Sequence, residues 1–248
     1  MKKLIVFIIV LLPEFFLAQK MVEHQQLIWY GYYNSLKFNE KWSLNSEIQE
    51  RQFYQPTAQH QLVFRTNLER KLIGDWNASV GMTYFLQNPN NPTSESNLTV
   101  PELRPDIGFG NKQKLGIVTI NHRYKAEARF FHDVENNRLV GGYRFSNFRL
   151  RYQVGLDFLI WKNEREQVFV AKIKDEIMFN VGNKMVKNTF DQNRIYLAIN
   201  YKINNSYAVE LGYMNWFQQL KSGTDFYNRD ILRFSIFHSM DLKKKKND

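Results

Sequence analysis

Val118-Thr119-Ile120-Asn121-His122-Arg123-Tyr124-Lys125-Ala126-Glu127-Ala128-Arg129-Phe130 decides the fold. Val118, Ile120, His122, Tyr124, Ala126, Ala128 and Phe130 fall on one set of alternate positions. Thr119, Asn121, Arg123, Lys125, Glu127 and Arg129 fall on the other. A strand sends successive side chains to opposite faces, so this stretch builds one apolar and one charged face. A helical period of 3.6 would mix the two sets within one turn. The run is also far longer than the roughly five or six residues of an average strand.

The same period of two recurs in segments 42–51, 61–69, 76–87, 148–158 and 194–203. Across these six segments the apolar faces hold 32 residues without one Asp, Glu, Lys or Arg, where the chain's 23% charged fraction would place about seven at random. Less regular segments at 26–38, 98–109, 167–181, 206–218 and 226–240 bring the candidates to eleven. Short connections are expected at 39–40, 73–75, 110–113, 161–166 and 204–205, and longer ones at 88–97, 132–141, 182–188 and 219–225. Turns at one end and loops at the other are the pattern of an up-and-down membrane barrel.

Composition narrows the class further. Mean hydropathy of −0.49 excludes a bundle of membrane helices, each of which needs about 20 consecutive apolar residues. The absence of cysteine removes disulfides, thiolate metal sites, cysteine nucleophiles and cysteine-linked lipid anchors. Lys2 and Lys3, the apolar run 4–12 and the exit Phe16-Leu17-Ala18 predict a secretory signal peptide over 1–18, followed by a barrel domain over 19–242 and a basic tail over 243–248. The chain freed of 1–18 carries a formal charge of +9, four of it at Lys243 to Lys246.

Alternation fits both a soluble β-barrel with an apolar core and a membrane barrel with an apolar exterior. Export, strand segments of 13–18 residues and aromatics near segment ends favour the second. Trp42, Tyr54, Trp76, Tyr84, Phe130, Phe131, Tyr143, Phe145, Trp161, Tyr207, Trp216, Phe217, Phe226 and Tyr227 are the expected aromatic girdles. The expected fold is therefore an all-β, antiparallel, transmembrane barrel of ten to twelve strands. Single-chain bacterial barrels have even strand numbers, which favours ten or twelve over the eleven segments counted. The location implied is the outer membrane, with its lipid and the barrel-assembly machinery as partners, in a monomer with no nucleic-acid partner.

If the polar face points inward, the lumen gathers Glu47, Arg51, Arg65, Glu69, Arg123, Lys125, Glu127, Arg129, Arg149, Arg151, Asp157, Glu176 and Arg194. Buried charges demand partners, so the first reading is a salt-bridged plug and a structural barrel. The second is a narrow small-solute pathway whose arginine excess favours anions. A lipid-modifying enzyme and a soluble periplasmic binding protein are the remaining alternatives. No G-x-S-x-G or H-E-x-x-H occurs, and Gly108-Phe109-Gly110 reads as a turn, not a phosphate cradle. His60, His122 and His238 align with apolar faces, His24 lies near the expected new N-terminus, and His132 starts an expected loop beside Asp133. No catalytic, cofactor-binding or metal residue is therefore expected. The polar loop Asn88 to Asn97 fits either an external recognition loop or a flexible connection.

The ordered set His122 to Phe130, Arg149-Leu150-Arg151-Tyr152, Asp175 to Asn180 and Gln192-Asn193-Arg194 resembles the family called domain of unknown function 2490. That resemblance spans residues 24–240 and implies a secreted outer-membrane barrel of Gram-negative bacteria. It implies no activity and no site residues.

Overall fold

The computed structural model describes residues 21–182 and 187–242. The segments 1–18 and 243–248, expected as signal peptide and basic tail, lie outside the described residues. Eleven strands follow in order: β1 (Val22–Lys37), β2 (Trp42–Phe53), β3 (Ala58–Lys71), β4 (Trp76–Gln87), β5 (Val100–Leu115), β6 (Val118–Glu135), β7 (Arg138–Lys162), β8 (Val168–Val181), β9 (Phe190–Lys202), β10 (Tyr207–Gln219) and β11 (Phe226–Asp241). Each pairs antiparallel with its sequence neighbours, and β1 pairs with β11 in parallel, from Val22↔Phe226 to Lys37↔Asp241. The all-β barrel is closed, within the expected range of strand number.

The expectation of an even number is not met. Strictly alternating strands of odd number leave the first and last running in the same direction, so closure has to be parallel. Side chains on both faces fit this seam. Inside, Tyr33 stacks on Phe237 at 4.8 Å, and Arg229 Nε donates to Gln25 Oε1 at 2.7 Å. Outside, Tyr30 stacks on Phe234 at 5.9 Å, and the Tyr32 hydroxyl lies 2.8 Å from His238 Nδ1.

Local chemistry fixes the turns. Asn39 Oδ1 accepts from the amides of Lys41 and Trp42, both at 2.9 Å, and closes the β1–β2 turn. Asn204 repeats the device on Ser206 and Tyr207 at 2.8 Å. The turn expected at 110–113 lies inside β5; the chain instead reverses at Gly116, whose φ of 60° suits glycine. The loop expected over 132–141 is also absent. Asn136 and Asn137, at φ 49° and 56°, form a two-residue hairpin turn that lets β6 and β7 run on as a ribbon. Beyond Phe131 this ribbon has lost β5, and before Phe148 it has not yet met β8, so it projects past the wall.

None of the 32 apolar-face residues is buried, and Leu150, Leu197, Ile199, Val80 and Tyr124 are among those most open. The barrel thus carries its apolar side chains on the outside. Inside, the core is divided. Leu27, Trp29, Phe53, Tyr196, Ala198, Met214, Trp216 and Ile231 form an apolar cluster against the wall made by β9, β10, β11, β1 and β2. Charged side chains from β5, β6, β7 and β8 fill the opposite half. Trp216 and Tyr227, expected in the outer girdles, are buried in the interior instead.

Candidate functional site

Lateral pairing across the wall sets up the interior. Glu176, Arg194, Trp216, Arg229 and Gln25 stand side by side on β8, β9, β10, β11 and β1. Across β5, β6 and β7, Asp106, Glu127 and Arg149 do the same. Side-by-side carboxylates repel, so Asp106 and Glu127 each recruit a cation: Lys125 Nζ sits 2.7 Å from Asp106, and Arg151 Nη1 2.5 Å from Glu127.

From Glu102 to Glu176 the resulting network is continuous. Glu102, wholly buried, accepts from Arg104 at 2.5 and 2.7 Å and from Arg129 at 2.6 and 3.2 Å, and also from Gln87. Arg104 Nη1 lies 3.9 Å from Glu127 and links this group to the next. Arg151 then bridges Glu127 and Glu176, meeting Glu176 at 2.8 to 3.0 Å, while Arg123 Nη2 reaches the same carboxylate at 2.7 Å. Arg149 pairs with Asp191 at 2.9 Å, Lys172 with Glu210 at 2.7 Å, and Arg65 with Glu47. Glu102 with Arg104 and Arg129, and Glu176 with Arg151, have the bidentate guanidinium–carboxylate geometry that makes such pairs the strongest of their class.

Of the residues anticipated from sequence, Glu47, Arg65, Arg123, Lys125, Glu127, Arg129, Arg149, Arg151 and Glu176 join these ion pairs. Arg51 and Arg194 do not. Arg51 donates to Gln49 and Gln61 and lies 3.9 Å from the centre of the Trp29 ring. Arg194 donates to Gln192 and lies 4.5 Å over Trp216, and its Nε is buried without a partner among the described residues. Asp157 accepts from Asn121 at 3.1 Å. Glu69 makes no ion pair among the described residues and lines a separate cavity of about 330 Å³ with Lys172 and Lys174.

Sequence reasoning missed Glu102, Arg104, Asp106, Asp191, Glu210, Lys172, Lys174, Arg229 and Arg233. On β5 the signal was present: Leu103, Ile107 and Phe109 alternate with Glu102, Arg104 and Asp106. Pro101 and Pro105 disguise it, since proline lacks the N–H of a ladder residue. The wall tolerates Pro105 because the β5–β6 ladder skips from Leu103↔Phe130 to Asp106↔Glu127.

Two histidines depart from expectation. A bulge opposite Arg51 and Gln52 places His60 inside, against Phe53 and Trp216 at 4.8 and 6.0 Å. His132 belongs to the projecting ribbon of β6, not to a loop, and its ring meets Tyr143 edge-on at 5.2 Å. Among the described residues no three His, Asp or Glu side chains gather as metal ligands.

Free space is distributed unevenly along the axis. At the short-turn end a cavity of about 1110 Å³ opens among Tyr33, Lys172, Lys202, Tyr207, Phe237 and His238. At mid-height only about 170 and 60 Å³ remain between the charged and aromatic side chains. At the far end the 88–99 connection folds over the mouth: Asn90 accepts from Gln25 and Arg229 at 2.9 and 3.1 Å, and its Oδ1 lies 3.2 Å from His60 Nε2.

Fold and interior together define a closed β-barrel with an apolar exterior and a core that is charge-paired on one side and apolar on the other. The particular family follows from the sequence over most of its length. Residues 26–228 match the family described as a protein of unknown function, DUF2490, and the chain belongs to it. No curated protein and no solved structure matches the chain.

Proposed function

We propose that this chain is an outer-membrane barrel closed at mid-height, with a solvent-filled vestibule on its short-turn side that receives small solutes, anions in preference. The inverted distribution of polarity carries this reading. Residues such as Ile107, Ile199, Val80 and Leu211 are more than half exposed all round the wall, while Glu102 and Arg229 are wholly buried. Water on the outside would favour the opposite arrangement. Lipid satisfies it, since a closed sheet has no unpaired edge to present to hydrocarbon.

Closure at mid-height follows from the ion-pair network, and a large open pore is incompatible with the small gaps left around it. The preference for anions rests on the arginine surplus at mid-height, since the vestibule itself sets Lys37, Lys172 and Lys202 against Glu47, Glu166 and Asp241. Outer-membrane lipid is then the medium of the wall, and barrel-assembly machinery the route to it.

Fractionation followed by electrophoresis with and without boiling tests the membrane part. Membrane-associated protein that migrates faster unboiled is the expected result, with no steady porin-sized conductance in planar bilayers. Protein that is soluble without detergent and unshifted by heat refutes it. A small conductance that favours chloride over potassium would move the reading from a plug to a narrow anion pathway.

A further inference from the structure

The 60 Å³ cavity at mid-height is lined by seven arginines, Arg51, Arg65, Arg104, Arg129, Arg149, Arg151 and Arg194, and by no carboxylate. From this geometry we infer that the barrel holds an inorganic oxyanion of the size and charge of phosphate or sulfate.

Charge balance points the same way. Five carboxylates contact these arginines: Glu47, Glu102, Glu127, Glu176 and Asp191. Among the seven lining arginines two positive charges are left over, Glu176 being shared besides with Arg123 outside the lining, and they have an address. Arg51 and Arg194 make no ion pair among the described residues: they donate to amide oxygens and lie over ring faces, chiefly the indoles of Trp29 and Trp216, which stand edge to face at 5.9 Å. Ring faces attract cations but do not neutralise them, and uncompensated charge away from water is costly. Among the described residues Arg194 Nε also lacks any hydrogen-bond partner. A dianion in the cavity would supply both missing charges.

Size selects the ligand. A water molecule needs roughly 10–15 Å³ of such space, so the cavity has room for a few waters or one compact tetrahedral anion. It has no room for a nucleotide or a lipid headgroup. Guanidinium groups donate in planar forks that match oxyanion edges, whereas chloride presents a single centre. Asn90, Gln61, Gln87, Gln192 and Gln218 complete the lining with neutral groups that add no competing charge. The inference rests on the interior alone, so a soluble protein would carry the same site.

Equilibrium dialysis of the purified full chain against radiolabelled inorganic phosphate, in chloride buffer at fixed ionic strength, is the direct test. Saturable binding near one ion per chain, displaced by sulfate and not by equal chloride, is expected. Arg51→Gln and Arg194→Gln should each weaken binding about tenfold or more, while Arg144→Gln on the exposed ribbon leaves it unchanged. Should either interior variant fail to fold, the wild-type titration still decides. Non-saturable binding, displacement by chloride as readily as by sulfate, or full affinity in both interior variants overturns the site. Solubility without detergent would refute the membrane reading alone.

Discussion

Glu102→Ala tests whether the interior ion pairs carry stability. The Glu102 carboxylate is 0% exposed and accepts four hydrogen bonds from two guanidiniums, Arg104 and Arg129. Its removal does not orphan both equally. Arg104 keeps Glu127 at 3.9 Å and the Phe85 ring at 3.8 Å, but Arg129 is left with only the Phe131 ring at 4.7 Å. The cost is therefore that of one buried charge losing its partner, about 3–5 kcal/mol, and not twice that. Against a total stability of roughly 5–15 kcal/mol this is a large fraction. Guanidinium unfolding in detergent, followed by tryptophan emission, measures it. Glu164→Gln, on an exposed turn, provides the reference and should stay within about 0.5 kcal/mol of the parent. Replacing Glu102, Arg104 and Arg129 together by Leu, Met and Met should recover at least half the loss, because no charge is then left unpaired. If Glu102→Ala unfolds at the same denaturant concentration as Glu164→Gln, these ion pairs do not hold the interior together.

Leu197→Arg, mid-strand on the outer face and 46% exposed, should cost about 2–4 kcal/mol in lipid vesicles; urea unfolding that shows a change under about 0.5 kcal/mol would mean this face meets water. Trp42, Trp76 and Trp161 lie on the outside and Trp29 and Trp216 inside, so brominated acyl chains should quench the first three and spare the last two. Single-tryptophan variants read by fluorescence check this, and quenching of Trp216 would contradict the interior placement. Asn136→Ala forces a β-carbon without a compensating side-chain amide into φ 49°, at a cost of about 1 kcal/mol that Asn136→Gly should not incur; the thermal midpoint of each variant is the readout.

How much of this was legible in sequence depended on the strand. β6 and β9 display clean alternation over 118–129 and 194–202 because neither stretch contains proline, glycine or a bulge, and the charged residues within them stand where the period of two puts them; Asp191, at a bulge opposite Met178 and Phe179, falls outside that pattern. β5 hid Glu102, Arg104 and Asp106 behind two prolines. His60 was assigned to the wrong face because one bulged residue inverts parity for everything beyond it, and nothing in the Gln59-His60-Gln61 stretch announces the insertion. Trp29 and Trp216 were invisible as interior residues for a different reason. A tryptophan beside polar neighbours fits a headgroup girdle and an arginine stack equally well, and only the opposing strand, carrying Arg51 or Arg229, distinguishes them. The Asn136-Asn137 pair did carry a hairpin signal, overlooked because polar residues surround it.

The parallel seam between β1 and β11 gives the ring a direction. Every other boundary between strands can be opened by cutting a turn, and its two new ends would emerge together on one rim. At the seam the ends emerge on opposite rims, separated by the height of a sixteen-residue strand, about 50 Å along its path. A circular permutant therefore cannot be made with a short linker, and reporters fused ahead of Val22 and after Asp241 would sit on opposite sides of whatever the barrel spans. Gain or loss of a hairpin keeps that arrangement. Gain or loss of a single strand reverses one end, so the number of strands and the sidedness of the termini can change only together.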